Sequence, residues 1–446
     1  MLPEHFVLQS IQDFFVPGLP LSPYVLVIAN ILQFWWIPAP FILYGVLRMV
    51  FVLYMETWWN LDPVRKRIVL EVKIPQRVTK PLRNMDNFFN AFWPSYDPPK
   101  DWRTTFFEGK TIVSTSFEMA SIEGTPHFFI RTPKTNRRQL EATLYAHYPE
   151  IELVEVPDYV LTVPQDIPNK DWDMWGCDFM PLKSDVYPIK TYEDFFEEKP
   201  DVSEEDKRLD PLSPLLELFA KAGKGEHLWF QIVALPISPI ENNYVARAKK
   251  EIEYKLLKRK KEPSGRIVIF DVFLDYLNWI VTGILSDPKK EEKENQFAFD
   301  FMMSPGERKL VEKVERKASK VAWQCSIRYI YLARKDVFDH GAKAFGPSFT
   351  AQFGTQDANG LKPFSKTITK IQSPDIFKQA RLYIKKRNLF INYKERDTYP
   401  GATFVLGTDE LATLYHFPGL DVAPTPALKR IEIKKVAPPI TLPVED

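Results

Sequence analysis

The sequence predicts an α+β protein in which an N-terminal transmembrane helix precedes two similar α+β units and a proline-rich C-terminal tail. Three observations lead to this prediction: an uncharged run near the N-terminus, two successive rounds of strand-like and helix-like patterns, and 38 prolines against 17 glycines. Prolines in this ratio favour short strands and stiff connections over long helices. The formal net charge of +1 argues against a dedicated nucleic-acid binder, because such proteins are usually basic.

The N-terminal run from Leu21 to Leu47 contains no charged residue and exceeds the roughly 20 residues that cross a bilayer core. We therefore expect a transmembrane helix at about 22–55, within an N-terminal segment of residues 1–60. Basic residues follow this run and none precedes it. The positive-inside rule then predicts a single-pass cell-membrane protein with its N-terminus outside and its body in the cytoplasm. A hairpin of two short helices around Pro38 and Pro40, or a cleaved signal peptide, stays open as an alternative.

The first soluble unit is expected at residues 61–164. Alternation of apolar and polar residues predicts strands, and apolar residues at helical spacing predict helices. Glu123-Gly124 suits a hairpin turn between two of the strands. The resulting order is strand, helix, strand, strand, helix, strand, which is the order of a ferredoxin-like α+β sandwich. The expected strands are 66–75, 111–121, 126–132 and 150–157, and the expected helices are 79–92 and 135–147.

A second ferredoxin-like unit is expected at residues 165–353, with a long insertion at 240–300. A capping-box pattern begins at Ser304 and predicts a helix to about residue 320. The other expected elements are strands at 186–190, 226–236 and 322–334 and a helix at about 210–222, with residues 164–184 as a connection.

The last part, residues 354–446, is expected to hold C-terminal helix and strand elements and the proline-rich tail. We predict a helix at 374–387, a strand at 389–394 and a short helix that Thr408 caps.

The insertion combines a basic stretch with an apolar one. Residues 247–261 contain eight basic and two acidic side chains, and residues 267–285 place their few polar side chains in one helical stripe. This pattern is typical of a helix at an anionic membrane surface or a partner surface, although packing on the protein's own core, or DNA contact by the basic stretch, stays open. The residues proposed for lipid or partner contact are Lys249, Lys250, Lys258, Arg259, Lys260, Lys261, Phe273 and Trp279.

No motif for catalysis, cofactor binding or metal binding emerges from the sequence. Gly109-Lys110-Thr111 lacks the earlier glycine of a phosphate-binding loop, and the six histidines form no metal-binding pair. Cys177 and Cys325 lie far apart, without a partner for nucleophilic catalysis or a disulfide framework. The sequence therefore predicts a protein that is not an enzyme and has no cofactor.

Several stretches resemble a bacterial family of membrane-anchored proteins associated with type IV secretion and conjugation-like systems. They cover most of residues 65–446, and they read HFFIRTP (127–133), YAHYPEIELVEVPDYVLTVP (145–164), YPIKTYEDF (187–195), LDPLSPLLE (209–217) and FVLGTDELATLYHFPG with the proline-rich residues after it (404–443). In related chains, a segment similar to the last one leads into a HerA-like or coupling-protein-like ATPase domain. This chain ends at Asp446, where that domain would begin.

The resemblance implies an anchor and adaptor that docks a separately encoded HerA-like or secretion ATPase in trans. Membrane lipid is the second expected partner, no direct nucleic-acid binding is expected, and an oligomer stays open. A lipid-binding scaffold or sensor that uses residues 247–285 is the alternative function. The residues expected to dock the partner are Glu410, Leu411, Tyr415, His416 and Phe417.

Overall fold

The computed structural model describes twelve stretches of the chain, which form two compact units. One unit comprises Met1–Arg65 and Phe107–Gly109, and the other comprises Lys66–Phe106 and Lys110–Asp446. The described residues are 36, 39–61, 66–74, 82–101, 103–104, 112–195, 210–238, 242–253, 304–354, 359–371, 377–399 and 401–418. Most of the insertion, with Lys258, Arg259, Lys260, Lys261, Phe273 and Trp279, and the tail after residue 418 lie outside them.

Helices and strands alternate along the second unit, whereas the described part of the first unit contributes one helix, α1. The helices are α1 Ala39–Leu61, α2 Arg83–Phe92, α3 Arg137–His147, α4 Ser213–Ala220, α5 Tyr244–Glu251, α6 Pro305–Ser319, α7 Phe345–Ala351, α8 Lys378–Glu395 and α9 Thr408–Leu414. The strands are β1 Arg67–Lys73, β2 Thr115–Ile122, β3 Thr125–Pro133, β4 Glu152–Val156, β5 Trp172–Pro181, β6 Glu226–Ile237, β7 Ala322–Arg334, β8 Leu361–Pro363 and β9 Phe404–Gly407.

All nine strands belong to one antiparallel sheet, in the order β4-β1-β3-β2-β6-β7-β5-β8, with β9 paired to the start of β7. Each half of this sheet has the same order of strands when it is read from its outer edge to the centre. The strand at the edge is the fourth of that half along the chain, and the first, the third and the second follow. The halves join where β2 pairs with β6 over eight residues, from Thr115 opposite Ala234 to Ile122 opposite His227.

The fold class predicted from the sequence is wrong. The expectation was two ferredoxin-like units after a transmembrane helix, whereas the second unit of the chain is built on a single nine-stranded antiparallel sheet. The periodicity within each stretch could not reveal the pairing of β2 with β6, because the two strands are more than 100 residues apart. In addition, β5 occupies Trp172–Pro181, where the sequence analysis placed a connection.

The transmembrane helix expected at about 22–55 is not found among the described residues. Across the described ranges, no helix combines the length and the apolar character that a membrane crossing requires. Residues 22–35 of the expected segment lie outside those ranges, and α1 covers residues from Ala39 onward.

The two faces of the sheet carry separate apolar cores. On one face, α2, α3, α4 and α9 cover a large cluster that includes Phe88, Phe117 and Trp323. On the other face, α8 and the short 3-10 helix Tyr159–Thr162 cover a smaller cluster around Trp229. Alternation of side chains along each strand sends successive residues to these two cores, so both faces of the central strands are buried.

A row of polar side chains crosses the smaller core on the central four strands. Asp178, Arg328, Gln231 and Glu118 are direct cross-strand neighbours on β5, β7, β6 and β2, and all four are buried. Arg328 Nε donates to Asp178 Oδ1 at 2.6 Å, and Gln231 Nε2 donates to Glu118 Oε1 at 3.1 Å. A buried charge is stable only when it is paired and hydrogen-bonded, and this row supplies those partners from strand to strand.

Arg396 completes the row from the end of α8. Its Nε and Nη2 donate to the two carboxylate oxygens of Glu118 at 2.9 and 3.0 Å, and its guanidinium also binds Asp158. Arg396 has a φ of +59°, which is a left-handed conformation that a non-glycine residue adopts at a cost of roughly 1–3 kcal/mol. The bidentate ion pair offsets that strain and fixes the C-terminal end of α8 on the sheet.

Burial raises the pKa of Glu118, whereas the positive charge of Arg396 lowers it. Hydrogen bonds from Arg396, Ser116 and Tyr159 lower it further, so the pKa of Glu118 is below its ordinary value. A carboxylate with a lowered pKa in the folded state stabilises the fold above its ordinary pKa of 4.5. That contribution is lost as the pH falls through the lower folded value.

We predict that Glu118→Gln lowers the free energy of unfolding by roughly 3–5 kcal/mol, because it leaves Arg396 buried without its charge partner. Urea denaturation at pH 7 measures this loss. The same experiment repeated down to pH 3 should show a smaller loss of stability with acid in the variant than in the wild type. Glu155→Gln is the control, because Glu155 pairs with Arg137 at the surface and should cost less than about 1 kcal/mol. An equal loss in both variants would refute the role of the polar row.

Candidate functional site

An open cleft lies beside the N-terminal half of α8. This cleft has a volume of about 580 Å³ and is lined by Asp166, Pro168, Asn169, Lys170, Asp173, Lys335, Gln379, Leu382, Tyr383 and Lys386. Its size is in the range of sites that bind small molecules or peptide side chains. Three segments form its walls: the loop before β5, the turn after β7 and one side of α8.

The loop before β5 is held in shape by Asn169. Its side-chain oxygen accepts hydrogen bonds from the backbone nitrogens of Asp171 and Trp172, and its amide donates to Asp166 at 2.9 Å. An Asn that bonds backbone groups two and three residues ahead makes a compact turn. The adjoining Ile167–Pro168 peptide bond is cis. This turn places the exposed side chain of Lys170 at the rim of the cleft.

Three consecutive basic residues attach α8 to the surrounding loops. Lys385 reaches the carbonyl oxygens after β8, Lys386 binds Asp173 Oδ1 at 2.5 Å, and Arg387 donates to the carbonyl oxygens of Gln165 and Ile167. Further along the helix, Leu389, Phe390 and Tyr393 enter the smaller core. The helix is therefore fixed by both apolar and polar contacts, which makes its outward side a rigid surface.

The outward side of α8 is both basic and apolar. The helix contains six basic residues and one acidic residue. Phe377 before its start and Tyr383 and Ile384 within it are 80%, 51% and 54% exposed. Exposed apolar side chains next to basic ones are typical of a protein–protein or membrane contact.

The lining of the cleft offers basic, acidic and apolar groups. It contains no Ser, Thr, Cys or His, so a pair of a Ser, Thr or Cys nucleophile with a histidine base is not part of it. Its lysines Lys170 and Lys335 are exposed, and Lys386 is neutralised by Asp173. The arrangement can bind an anionic group with the lysines and an apolar group on Leu382 and Tyr383.

The described part of the chain was also compared with the requirements of a metal site and of a reactive cysteine. No group of three or more His, Cys, Asp or Glu residues there could hold a metal ion. Cys177 and Cys325 are both buried, and burial raises the pKa of each thiol well above its ordinary value. Such thiols remain protonated and unreactive at neutral pH.

The five residues expected to dock a partner lie in the interior. Glu410, Leu411, Tyr415, His416 and Phe417 are at most 4% exposed. Leu411 and Tyr415 belong to the larger core, where Tyr415 contacts Phe117 with ring centroids 5.3 Å apart. Because these side chains are buried in the folded protein, a partner cannot reach them. The surface around α8 is therefore the better candidate for docking.

Glu410 shows why this segment is interior despite its charge. One carboxylate oxygen accepts from the backbone nitrogen of Ile189 and the other from that of Gly407, and Lys317 pairs with it at 2.9 Å. Burial is the largest influence on the pKa of Glu410 and raises it, against the lowering effect of Lys317. Glu410 and Lys317 thus join α9 to α6, in a structural role.

A small cavity of about 40 Å³ lies beside this ion pair, lined by residues that include Thr191, Glu193, Asp194, Lys313, Arg316 and Asp409. Its charged side chains are already paired with one another: Arg316 with Glu193, and Lys313 with Asp194. A space of this size holds little more than a water molecule, so we assign it no ligand.

Of the residues expected to contact lipid or a partner, Lys249 and Lys250 are described. Both are exposed near the C-terminal end of α5, where their positive charges are favourable for the helix dipole. The structure does not bring them to the cleft lining. The sequence analysis did not predict the cleft, because its lining comes from three segments that are far apart in the chain.

No family model matches the chain, and no curated protein matches it significantly.

Gly176 controls how closely α8 approaches the sheet. A Cβ at this position would lie 2.6 Å from the carbonyl oxygen of Tyr329 and 2.9 Å from a methyl group of Leu389 on α8. We predict that Gly176→Ala lowers the free energy of unfolding by about 1–3 kcal/mol, because the extra methyl group overpacks this contact. Gly306→Ala is the matched control, because a Cβ there meets no atom within 4 Å. Thermal or urea denaturation of both variants measures the difference, and two equal curves would contradict the prediction.

Proposed function

We propose that this protein is a non-enzymatic adaptor that docks a separately encoded ATPase of a type IV secretion or DNA-transfer-like machine at a membrane. The observation that carries the proposal is the rigid basic and apolar surface formed by α8 and the cleft beside it. A surface of this kind is suited to bind another macromolecule, and the cleft lining contains no Ser, Thr, Cys or His.

The chemistry of the surface defines the partner. Lys170 and Lys335 supply positive charge at the rim of the cleft, and Tyr383 and Ile384 supply apolar area on α8. The complementary partner surface carries carboxylates around an apolar centre. Aromatic side chains are common anchors of protein interfaces, and Tyr383 is the aromatic group of this cleft.

The identity of the partner as an ATPase rests on the resemblance of the sequence stretches, above all residues 404–419. In related chains a similar segment leads into the ATPase domain. In this chain, β9 and α9 of that segment are part of the sheet and its core. An ATPase supplied in trans would then bind the outer surface of the folded body. The buried segment would stabilise the fold of that body.

Membrane association is the second part of the proposal. The large apolar side chains of α1 between Phe41 and Tyr54 are exposed, Phe41 at 76% and Leu47 at 59%. An exposed apolar surface of this extent marks a protein or membrane contact. A lipid surface suits α1, because the exposed side chains are distributed around the helix rather than along one stripe. We propose that the body lies on the cytoplasmic side, as the charge distribution predicts.

A scaffold that binds lipid through the basic insertion is the second candidate function. The observation that favours it is the exposure of Lys249 and Lys250 at the start of the basic stretch. Each basic residue near an anionic membrane surface contributes about 1 kcal/mol to binding. The two candidates differ in the surface they use, so that charge reversal can separate them.

We predict that Lys170→Glu/Lys335→Glu lowers the recovery of an ATPase with the full-length protein from native membranes at least tenfold. The reason is that the reversed charges would face the carboxylates of the partner. Affinity purification followed by mass spectrometry and an ATP-hydrolysis assay of the captured fraction measures this. Lys249→Glu/Lys250→Glu is the matched control and should leave recovery unchanged. If no ATPase accompanies the wild-type protein, or if both variants behave alike, the docking proposal fails.

The lipid-scaffold candidate predicts the opposite pattern in vesicle flotation. With the full-length chain and vesicles rich in phosphatidylserine, Lys249→Glu/Lys250→Glu should reduce the floated fraction severalfold, because two attractions become repulsions. Lys170→Glu/Lys335→Glu should float like the wild type. Equal flotation of all three proteins would exclude the basic insertion as a lipid-binding site.

A further inference from the structure

The two ends of the nine-stranded sheet are protected to different degrees. At one end, β8 has three residues, one of them Pro363 and one Lys362. Short length, proline and lysine are the means by which proteins prevent an edge strand from pairing with another chain. At the other end, β4 has five residues with the sequence ELVEV, and it contains neither proline nor lysine. The edge at β4 is therefore the one that is chemically able to accept a further strand.

On its inner side, β4 pairs antiparallel with β1, from Val156 opposite Val69 to Glu152 opposite Lys73. Among the described residues, no other strand pairs with β4. One row of its backbone N–H and C=O groups thus faces away from the sheet. A peptide that adds to such an edge gains main-chain hydrogen bonds for affinity and side-chain contacts for specificity.

The charge of this edge selects the kind of strand that can bind. Glu150 lies just before β4, and Glu152 and Glu155 are exposed on it. Arg137 neutralises Glu155 in part. A second copy of β4 would bring its own glutamates against these, and like charges on paired strands are destabilising. A strand with basic residues between apolar ones is complementary to the edge.

The chain itself contains a segment of this kind. Residues 429–435 read KRIEIKK, in which Ile431 and Ile433 alternate with charged residues and four of the seven residues are basic. Strict alternation is the pattern of a strand with one apolar side. Leu153 and Val156 of β4 are partly buried against the two cores, so apolar side chains on an added strand would extend an existing core.

The described chain ends close to the start of β4. Phe417, the penultimate residue before the tail, packs on Tyr148 with ring centroids 5.2 Å apart. Tyr148 precedes β4 by four residues. The eleven residue-to-residue steps from Pro418 to Lys429 can span up to about 36 Å when extended, so the basic segment is within reach of the β4 edge.

We propose that the outer edge of β4 is a strand-addition site, and that its occupant is the segment of residues 429–435 of this chain. The segment adds a tenth strand to the sheet beside β4 and covers the unprotected edge. Its basic side chains neutralise Glu150 and Glu152. This surface is separate from the cleft beside α8, so the proposal does not depend on the adaptor function.

Hydrogen–deuterium exchange of the full-length protein tests the proposal through a peptide that covers residues 149–157. In the wild type the outward amides of β4 should be protected. In Ile431→Asn/Ile433→Asn they should exchange at least tenfold faster, because the segment loses its apolar contacts. The matched control is Val422→Asn/Ile440→Asn, which changes two apolar tail residues outside the segment and should leave β4 protected. Exchange in β6 reports global stability and should be equal in all three proteins.

A synthetic peptide of residues 427–437, added to Ile431→Asn/Ile433→Asn, should restore the protection of β4. A peptide of the same composition without the alternation should not. In a variant that also carries Glu150→Lys/Glu152→Lys, the peptide concentration needed should rise about five- to tenfold, since favourable cross-strand charge pairs become unfavourable. Glu315→Lys on exposed α6 surface is the control for the charge change.

Two results would overturn the assignment. One is an unprotected β4 in the wild-type chain, or protection that the isoleucine substitutions do not change. The other is protection that grows with protein concentration together with a dimer in light scattering, which would identify a second copy of the β4 edge, rather than the tail segment, as the occupant.

Discussion

The pairing of Glu118 with Arg396 is the interaction on which the rest of the structure depends. Glu118 lies on β2, the strand through which the two halves of the sheet are joined, and Arg396 lies at the end of α8, the helix that covers the smaller core. The two residues are 278 positions apart. Their ion pair therefore fixes the end of α8 over the junction of the halves. The cross-strand row of Gln231, Arg328 and Asp178 continues the polar contacts across β6, β7 and β5.

Local patterns in the sequence were sufficient for many elements but not for their assembly. The predicted strand at 322–334 matches β7, and the capping box at Ser304 is present with both of its hydrogen bonds. The hairpin turn predicted at Glu123-Gly124 is present, with both residues at positive φ. These features depend on contacts within a few residues of each other. The pairing of β2 with β6 depends on contacts across more than 100 residues, and periodicity carries no information about them.

The errors in the sequence analysis have a common physical cause, which is that tertiary contacts override local preference. The predicted strand at 389–394 is the last part of α8, because Leu389, Phe390 and Tyr393 bury one side of a continuous helix. The residues around Glu410 were expected to dock a partner because of the resemblance of their segment, and they are buried. Lys317, which neutralises Glu410, comes from α6 almost a hundred residues earlier, so the sequence could not show that this carboxylate is buried.

The same constraint determines where the protein can bind a partner. Both faces of the central strands are buried under helices, which excludes the sheet faces as binding surfaces and leaves the outer sides of the covering helices and the sheet edges. Of the covering elements, α8 combines exposed Tyr383 and Ile384 with a cleft that it shares with the loop before β5. Because Arg396 fixes one end of this helix and Lys385, Lys386 and Arg387 fix its middle, the outward side of α8 is preorganised. A preorganised surface loses little conformational entropy on binding, and this supports the adaptor role that we propose.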